Sequence, residues 1–168
     1  MNSIFTVISI ILSIFIKIPV NFSLPFLKLE ISDSIILIVS VILGIRSGVY
    51  ILITVNILRT LFFSTASWIG FIIRSLNIIL IFIFYYFFKS KNIIFKYFLI
   101  IFGTALFLAI KIPLNYFFWV HIFGISRNVL DILVFKVIVP FNIIKVLSNY
   151  FLAIIFIKPI KMLSDKFL

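Results

Sequence analysis

Polar side chains that could do chemistry are few in this chain, and they recur at one spacing. Asn56 and Arg59 lie three residues apart, and Arg74 with Asn77 and Asn142 with Lys145 repeat that interval, while Asn115 stands alone. Residues three apart share a helix face, so each pair presents an amide beside a cation. An amide both donates and accepts hydrogen bonds, and an ammonium brings three donors and no acceptor. Surrounded by hydrocarbon, each costs several kcal/mol unless it is paired, of the order given for amides and charges. The chemistry such groups suit is recognition of a ligand rich in carbonyl and hydroxyl oxygens, not of a bare metal cation. A further cluster, Lys28, Glu30 and Asp33, holds two of the four Asp and Glu residues of the chain.

The same residues bear milder readings. Arg59 and Arg74 are long enough to snorkel to an interface, and Arg74 is assigned there, so that its removal should leave ligand binding unchanged. Asn56 and Asn77 can hydrogen-bond across helices. His121, with no cysteine and no second histidine beside it, reads as an exposed loop residue. Asn142 and Lys145, directly after Pro140, are read as facing a ligand, because proline frees a backbone carbonyl one turn earlier.

Composition removes whole classes of function. Cysteine is absent and His121 is the one histidine, which excludes thiol catalysis, disulfides and Cys- or His-rich metal sites. Four acids cannot readily furnish an enzyme's paired carboxylates or catalytic triads. No Gly-rich phosphate cradle appears, so any ATP-driven step belongs to partners. The net charge of +11 is spread over helix ends instead of forming a run, which argues against nucleic acid.

The elements that must position these residues are membrane helices. The chain is 65% hydrophobic over 168 residues, against about 45–50% for soluble domains. A spanning helix takes about 20 residues, which predicts an all-α, six-helix transmembrane bundle, one integral membrane domain over 1–168. The apolar runs place helices at Ser3–Ile18, Ser32–Leu43, Val49–Ser64, Trp68–Phe88, Tyr97–Leu114 and Asn128–Ile157, the last interrupted or kinked at Pro140. Pro19 and Pro25 bracket an irregular first loop, and Gly44 and Gly48 bracket Arg46 in a turn. The first run lacks the basic flank and cleavage site of a signal peptide and is read as a retained helix.

Loop charge orients the bundle. With the N-terminus cytoplasmic, the inner connections hold Arg46, Lys89, Lys91, Lys96, Lys158, Lys161 and Lys166, and the outer ones hold Lys17, Lys28, Lys111 and Arg127 beside Glu30 and Asp33. Trp68 and Trp119 then fall at the outer interface. Both termini are expected inside, in a cell membrane. Ser9 and Ser13, at i and i+4, form a small-residue face that another helix could approach closely.

These residues also carry a resemblance. Leu27-Lys28-Leu29-Glu30-Ile31-Ser32-Asp33, leading from a proline loop into the second helix, resembles the LKxDFSD-type segment of the substrate-binding S components of energy-coupling factor vitamin transporters, most nearly the riboflavin-binding kind. Val139-Pro140-Phe141-Asn142-Ile143-Ile144-Lys145 is similar to that subfamily's IPFN segment with its following lysine, and Asn115-Tyr116-Phe117 to its Asn-Tyr-aromatic segment. The resemblance implies a subunit with no enzymatic activity or cofactor. It would bind riboflavin near the outer face under the first loop, Pro19–Ile31, and deliver it inward with a shared membrane coupling subunit and two ATPases. By position, Asn115, Asn142 and Lys145 would contact the vitamin, with Asn56 and Asp33 as weaker transfers, and Ser9 and Ser13 would stand where the family shows paired alanines to the coupling subunit. Glu30 replaces the usual aspartate, and Ser64–Trp68 lacks the Gly/Asn-rich pattern often seen there. An S component for another vitamin of the folate, thiamine or biotin class is the alternative. A scaffold or pore would be a different class, and a pore would need a continuous polar stripe that the helices lack.

Overall fold

The computed structural model describes residues 2–19, 28–62, 67–122, 124, 130 and 132–167. It is a six-helix bundle of apolar spans, as the hydropathy predicts. The first span is α1 (Asn2–Phe15), followed by a two-stranded ribbon, β1 (Lys17–Pro19) and β2 (Lys28–Glu30). Next come α2 (Ser32–Ile42) and α3 (Ile45–Phe62), then a broken fourth span made of α4 (Ser67–Ser75) and α5 (Asn77–Lys89). The fifth is α6 (Ile93–His121), and the sixth contains a π-helical turn at Val134–Ile138 that runs directly into α7 (Val139–Phe167). The spans Ile45–Phe62, Trp68–Lys89, Ile93–His121 and Val134–Met162 are each long and apolar enough to cross a bilayer, and the chain is a multi-pass membrane protein.

In α1 the polar stripe decides which face is buried. Thr6, Ser9 and Ser13 recur at i, i+3 and i+7 and are buried, the two serines completely. The opposite face, Ile4, Val7, Ile8, Ile11 and Phe15, is exposed. Ser13 donates its hydroxyl to the Ile10 carbonyl at 2.8 Å, as helical serine does when no water is near. The expectation that Ser9 and Ser13 face a partner subunit is therefore corrected. The small residues do permit close packing, but against this chain's own α2 and α3, on which α1 rests.

The first loop is less irregular than its prolines suggest. β1 and β2 pair antiparallel, with Lys17 opposite Glu30, Ile18 opposite Leu29 and Pro19 opposite Lys28. Residues 20–27, which carry most of the loop expected to cover a ligand, lie outside the described residues. What the ribbon does fix is the place of Glu30, at the mouth of α2.

Two glycines set the α2–α3 hairpin. Gly44 takes φ +91°, a left-handed conformation that closes the turn. Gly48 is not part of that turn, as the sequence reading had it, but lies in the first turns of α3. A Cβ there would stand 2.6 Å from the Ser40 Cβ, so its missing side chain is what lets α3 lie against α2.

The remaining differences concern where helices start and stop. The fourth span breaks at Leu76, between Arg74 and Asn77. α6 starts earlier and ends later than Tyr97–Leu114. Asn92 caps it by accepting from the N–H groups of Ile94 and Phe95, and the helix passes through Pro113 to His121. Pro140 does not end the sixth span. It lies directly after the π turn, which absorbs the change of register, with the Val139 N–H bonded to the Val134 carbonyl.

The main core fills the middle of the bundle with Ile38, Val39, Ile51, Leu52, Ile81, Phe84, Phe107 and Ala153. Phe84 stacks on Tyr150 with ring centroids 5.3 Å apart. A second, smaller cluster joins the late turns of α6 to the π turn, with Leu130, Val134 and Ile138 packed by Ile112, Tyr116 and Trp119. Between these two apolar masses lies a polar layer.

Candidate ligand-binding site

The polar layer is built where chain direction alternates, from the N-terminal turns of α2, α5 and α7 and the C-terminal turns of α3, α4 and α6. Its centre is a cavity of about 220 Å³. Lys111, Asn115 and Trp119 line it from α6, one helical turn apart, so the spacing i, i+4, i+8 puts all three on one stripe. Ile138, Phe141, Asn142 and Lys145 line it from the sixth span, Gly70, Ile73 and Arg74 from α4, and Glu30 from β2. α4, ahead of the break at Leu76, thus forms one wall of the cavity.

Of the residues singled out from sequence, Asn115, Asn142 and Lys145 are brought together on this cavity. Asn142 is buried, and its amide donates to the Ile138 carbonyl at 2.8 Å, which fixes the side chain's orientation. Asp33 lies one step behind the cavity. Its carboxylate is 3.3 Å from the Lys145 ammonium and accepts from the Asn77 amide at 3.2 Å. Asn56 is not at the cavity. It is buried one turn from Arg59 on α3, with its Nδ2 unpaired among the described residues. A second polar contact, Ser34 donating to Asn149 at 2.9 Å, ties α2 to α7 just below.

The cluster of Glu30 and Asp33, read apart from the amide–cation pairs, is brought into their midst by the first loop and α2. Arg59 grips Glu30 with both terminal nitrogens, Nη1 to Oε2 at 2.6 Å and Nη2 to Oε1 at 2.8 Å. That bidentate fork is the strong form of the guanidinium–carboxylate bond. Lys145 lies 4.0 Å from the same carboxylate. Burial by itself would raise the Glu30 carboxyl, but Lys145 and Arg59 hold it well below its ordinary value, at about 2. Arg59 is thus an internal ion-pair partner and does not snorkel.

Arg74 and Lys111 are the residues that sequence reasoning missed. Arg74 faces the cavity instead of an interface, donating to the Thr60 hydroxyl at 3.2 Å while its Nε is buried without a partner among the described residues. Lys111, expected in an outer loop, sits inside α6 with 8% of its surface exposed, its ammonium 4.9 Å from the Phe107 ring centroid. The i, i+4 repeat of Lys111, Asn115 and Trp119 was the available signal. His121, at the end of α6, is exposed and packs on Phe117.

A larger cavity, about 560 Å³, opens at the opposite end of the bundle between α2, α5 and α7, lined by Tyr85, Phe88, Lys89, Lys158 and Lys161 among others. Among the described residues it is lined by no amide side chain or carboxylate and by no residue of the resemblance-bearing segments. The smaller cavity is the one with convergent polar groups on rigid helices, which is what a binding site requires.

No family model matches the chain, and no curated protein matches it by sequence. Among solved structures it is similar to the S component of a bacterial ECF transporter, with 26% sequence identity and a TM-score of 0.72. The match covers 99% of this chain and 94% of that one.

Proposed function

We propose that the chain is the substrate-binding membrane subunit of an energy-coupling factor importer and that its ligand is riboflavin or a close relative. The observation that carries this reading is the meeting of Asn115, Asn142 and Lys145 on one cavity, in a bundle similar over nearly its whole length to an S component. These are the residues that the sequence resemblance assigns to the vitamin. A flavin presents a flat apolar ring edged with carbonyl and N–H groups. Trp119, Phe141 and Ile138 offer the wall for the ring, and the amides offer both donors and acceptors for its edge. The chain carries no ATP-binding loop, so a coupling subunit and two ATPases would supply the energy, and catalysis forms no part of the reading. In this reading the cavity lies at the outer end and both termini in the cytoplasm, which the loop charges support.

One observation favours a second vitamin. At about 220 Å³ the cavity lies below the range of about 300–1,000 Å³ usual for sites that enclose a drug-sized ligand. A flavin would need α4 to yield, whereas a smaller ring of the thiamine class would need less. Titrating riboflavin into the purified chain, with quenching of flavin fluorescence as the signal, decides between them. Quenching at micromolar concentration is expected, and none at that concentration would leave the other-vitamin reading in its place.

A further inference from the structure

We propose that the ligand bears a phosphate monoester, held between Arg74 and Lys111. This rests on the cavity's being the vitamin site, and it names the chemical form of the vitamin. The charges around the cavity divide into two groups. Arg59 is matched by Glu30 in a bidentate pair, and Lys145 is matched by Asp33 at 3.3 Å. Arg74 and Lys111 remain, and among the described residues neither has a carboxylate within ion-pair distance.

Both remaining cations are turned to the same space. Each lines the cavity, Arg74 from α4 and Lys111 from α6. Their present contacts are weak substitutes for an anion. Arg74 bonds a neutral hydroxyl at 3.2 Å and keeps a buried Nε–H without a partner among the described residues. Lys111, more than nine-tenths buried, has an aromatic face 4.9 Å away. Uncompensated charge inside a membrane protein is costly and marks substrate pathways. A phosphate monoester carries about −1.5 to −2 charge near neutral pH, which balances the two cations, whereas a single carboxylate balances one. The planar guanidinium fork fits phosphate oxygens bidentately, and an ammonium serves as a point charge. Asn115, Asn142 and Lys145 line the rest of the cavity, on the side that would take the remainder of the ligand.

The test uses the purified full chain in detergent and calorimetric titration with three pairs: riboflavin and flavin mononucleotide, thiamine and its monophosphate, pyridoxine and its phosphate. In whichever pair binds, the phosphorylated member should bind about tenfold or more tighter, the size of one or two charge-assisted hydrogen bonds. That preference should narrow below about pH 6, where the ester loses its second charge. Arg74→Gln and Lys111→Met should each erase it, so that both members of the pair bind alike. If either variant fails to fold, the wild-type ratio and its pH dependence decide alone. An unphosphorylated member that binds as tightly as its partner overturns the inference. Silence from the flavin pair with phosphate preference in another pair would remove the flavin reading and keep the inference. Silence from all three would remove both.

Discussion

The Glu30 carboxylate and the Arg59 guanidinium meet edge to edge, with both oxygens and both terminal nitrogens engaged at 2.6 and 2.8 Å. One partner comes from a three-residue strand and the other from the last turn of α3. The pair therefore fastens the first loop to the bundle at the cavity's edge, with side chains 12% and 9% exposed.

Removing one half of that pair should be worse than removing both. Glu30→Gln leaves a buried guanidinium without its counter-charge, and breaking buried pairs costs about 3–5 kcal/mol. Glu30→Leu with Arg59→Met should recover most of that loss, because the burial penalty disappears with the charges. Thermal unfolding of the detergent-solubilised variants measures both. A double variant no more stable than Glu30→Gln would mean that the pair holds the ribbon by geometry more than by charge balance.

Because the Glu30 carboxyl is held at about 2 against an ordinary 4.5, its contribution is fully present above pH 4.5 and fades as pH falls towards 2. Stability should be flat with respect to this group from pH 5 to 8 and decline only in more acid solution. Melting temperatures across that range, compared with Glu30→Gln, isolate the effect. A wild-type slope between pH 5 and 7 that vanishes in Glu30→Gln would contradict it.

Asn142→Ala and Lys145→Ala should each weaken vitamin binding by about 1.5–3 kcal/mol, roughly tenfold to over a hundredfold. Lys145→Ala should also lower stability, because it strips Asp33 of the cation 3.3 Å away. Fluorescence titration alongside a thermal melt separates the two effects. Arg74 cannot serve as the inert control its sequence position suggests, since it lines the same cavity.

Ser9→Trp should unfold or loosen the bundle itself. Ser9 is completely buried, and forcing bulk into a packed interior costs about 1–3 kcal/mol or more. Folded, monodisperse protein from this variant would place Ser9 on an outer face after all.

A reporter fused after Leu168 should be reachable only from the cytoplasmic side, as the inner lysines require. Labelling from outside would invert the bundle and move the cavity to the inner leaflet.

The spans were legible because an apolar run long enough to cross a bilayer has few alternatives. Their ends were less so. Lys89–Lys96 reads as one polar turn, yet Asn92 caps a helix inside it. The fifth helix reads as ending at Leu114, just past Pro113, yet it continues to His121, as membrane helices do through proline when neighbours satisfy the freed groups. The ribbon at Lys17–Pro19 and Lys28–Glu30 gave no signal at all, being three residues per strand beside two prolines. At the site, Asn115, Asn142 and Lys145 could be named because amides and lysine within apolar helices have few reasons to be there. Arg74 and Lys111 were passed over because long cations near span ends commonly reach for water, and only the packing of α4 against α6 turns them inward. For Ser9 and Ser13, a small-residue stripe announces close approach but not the identity of the approaching helix.

The unequal lengths of the helices have a mechanical consequence for the surrounding lipid. At 1.5 Å per residue, α1 and α2, of 14 and 11 residues, reach only about 21 and 16 Å, short of a hydrocarbon layer about 30 Å thick. α6, with 29 residues, reaches about 44 Å and must tilt or draw the bilayer thicker around it. One flank of the protein thins the membrane while another stretches it, and the exposed isoleucines of α1 lie on the thinned side. The lipid around the bundle must therefore meet two hydrophobic thicknesses at once.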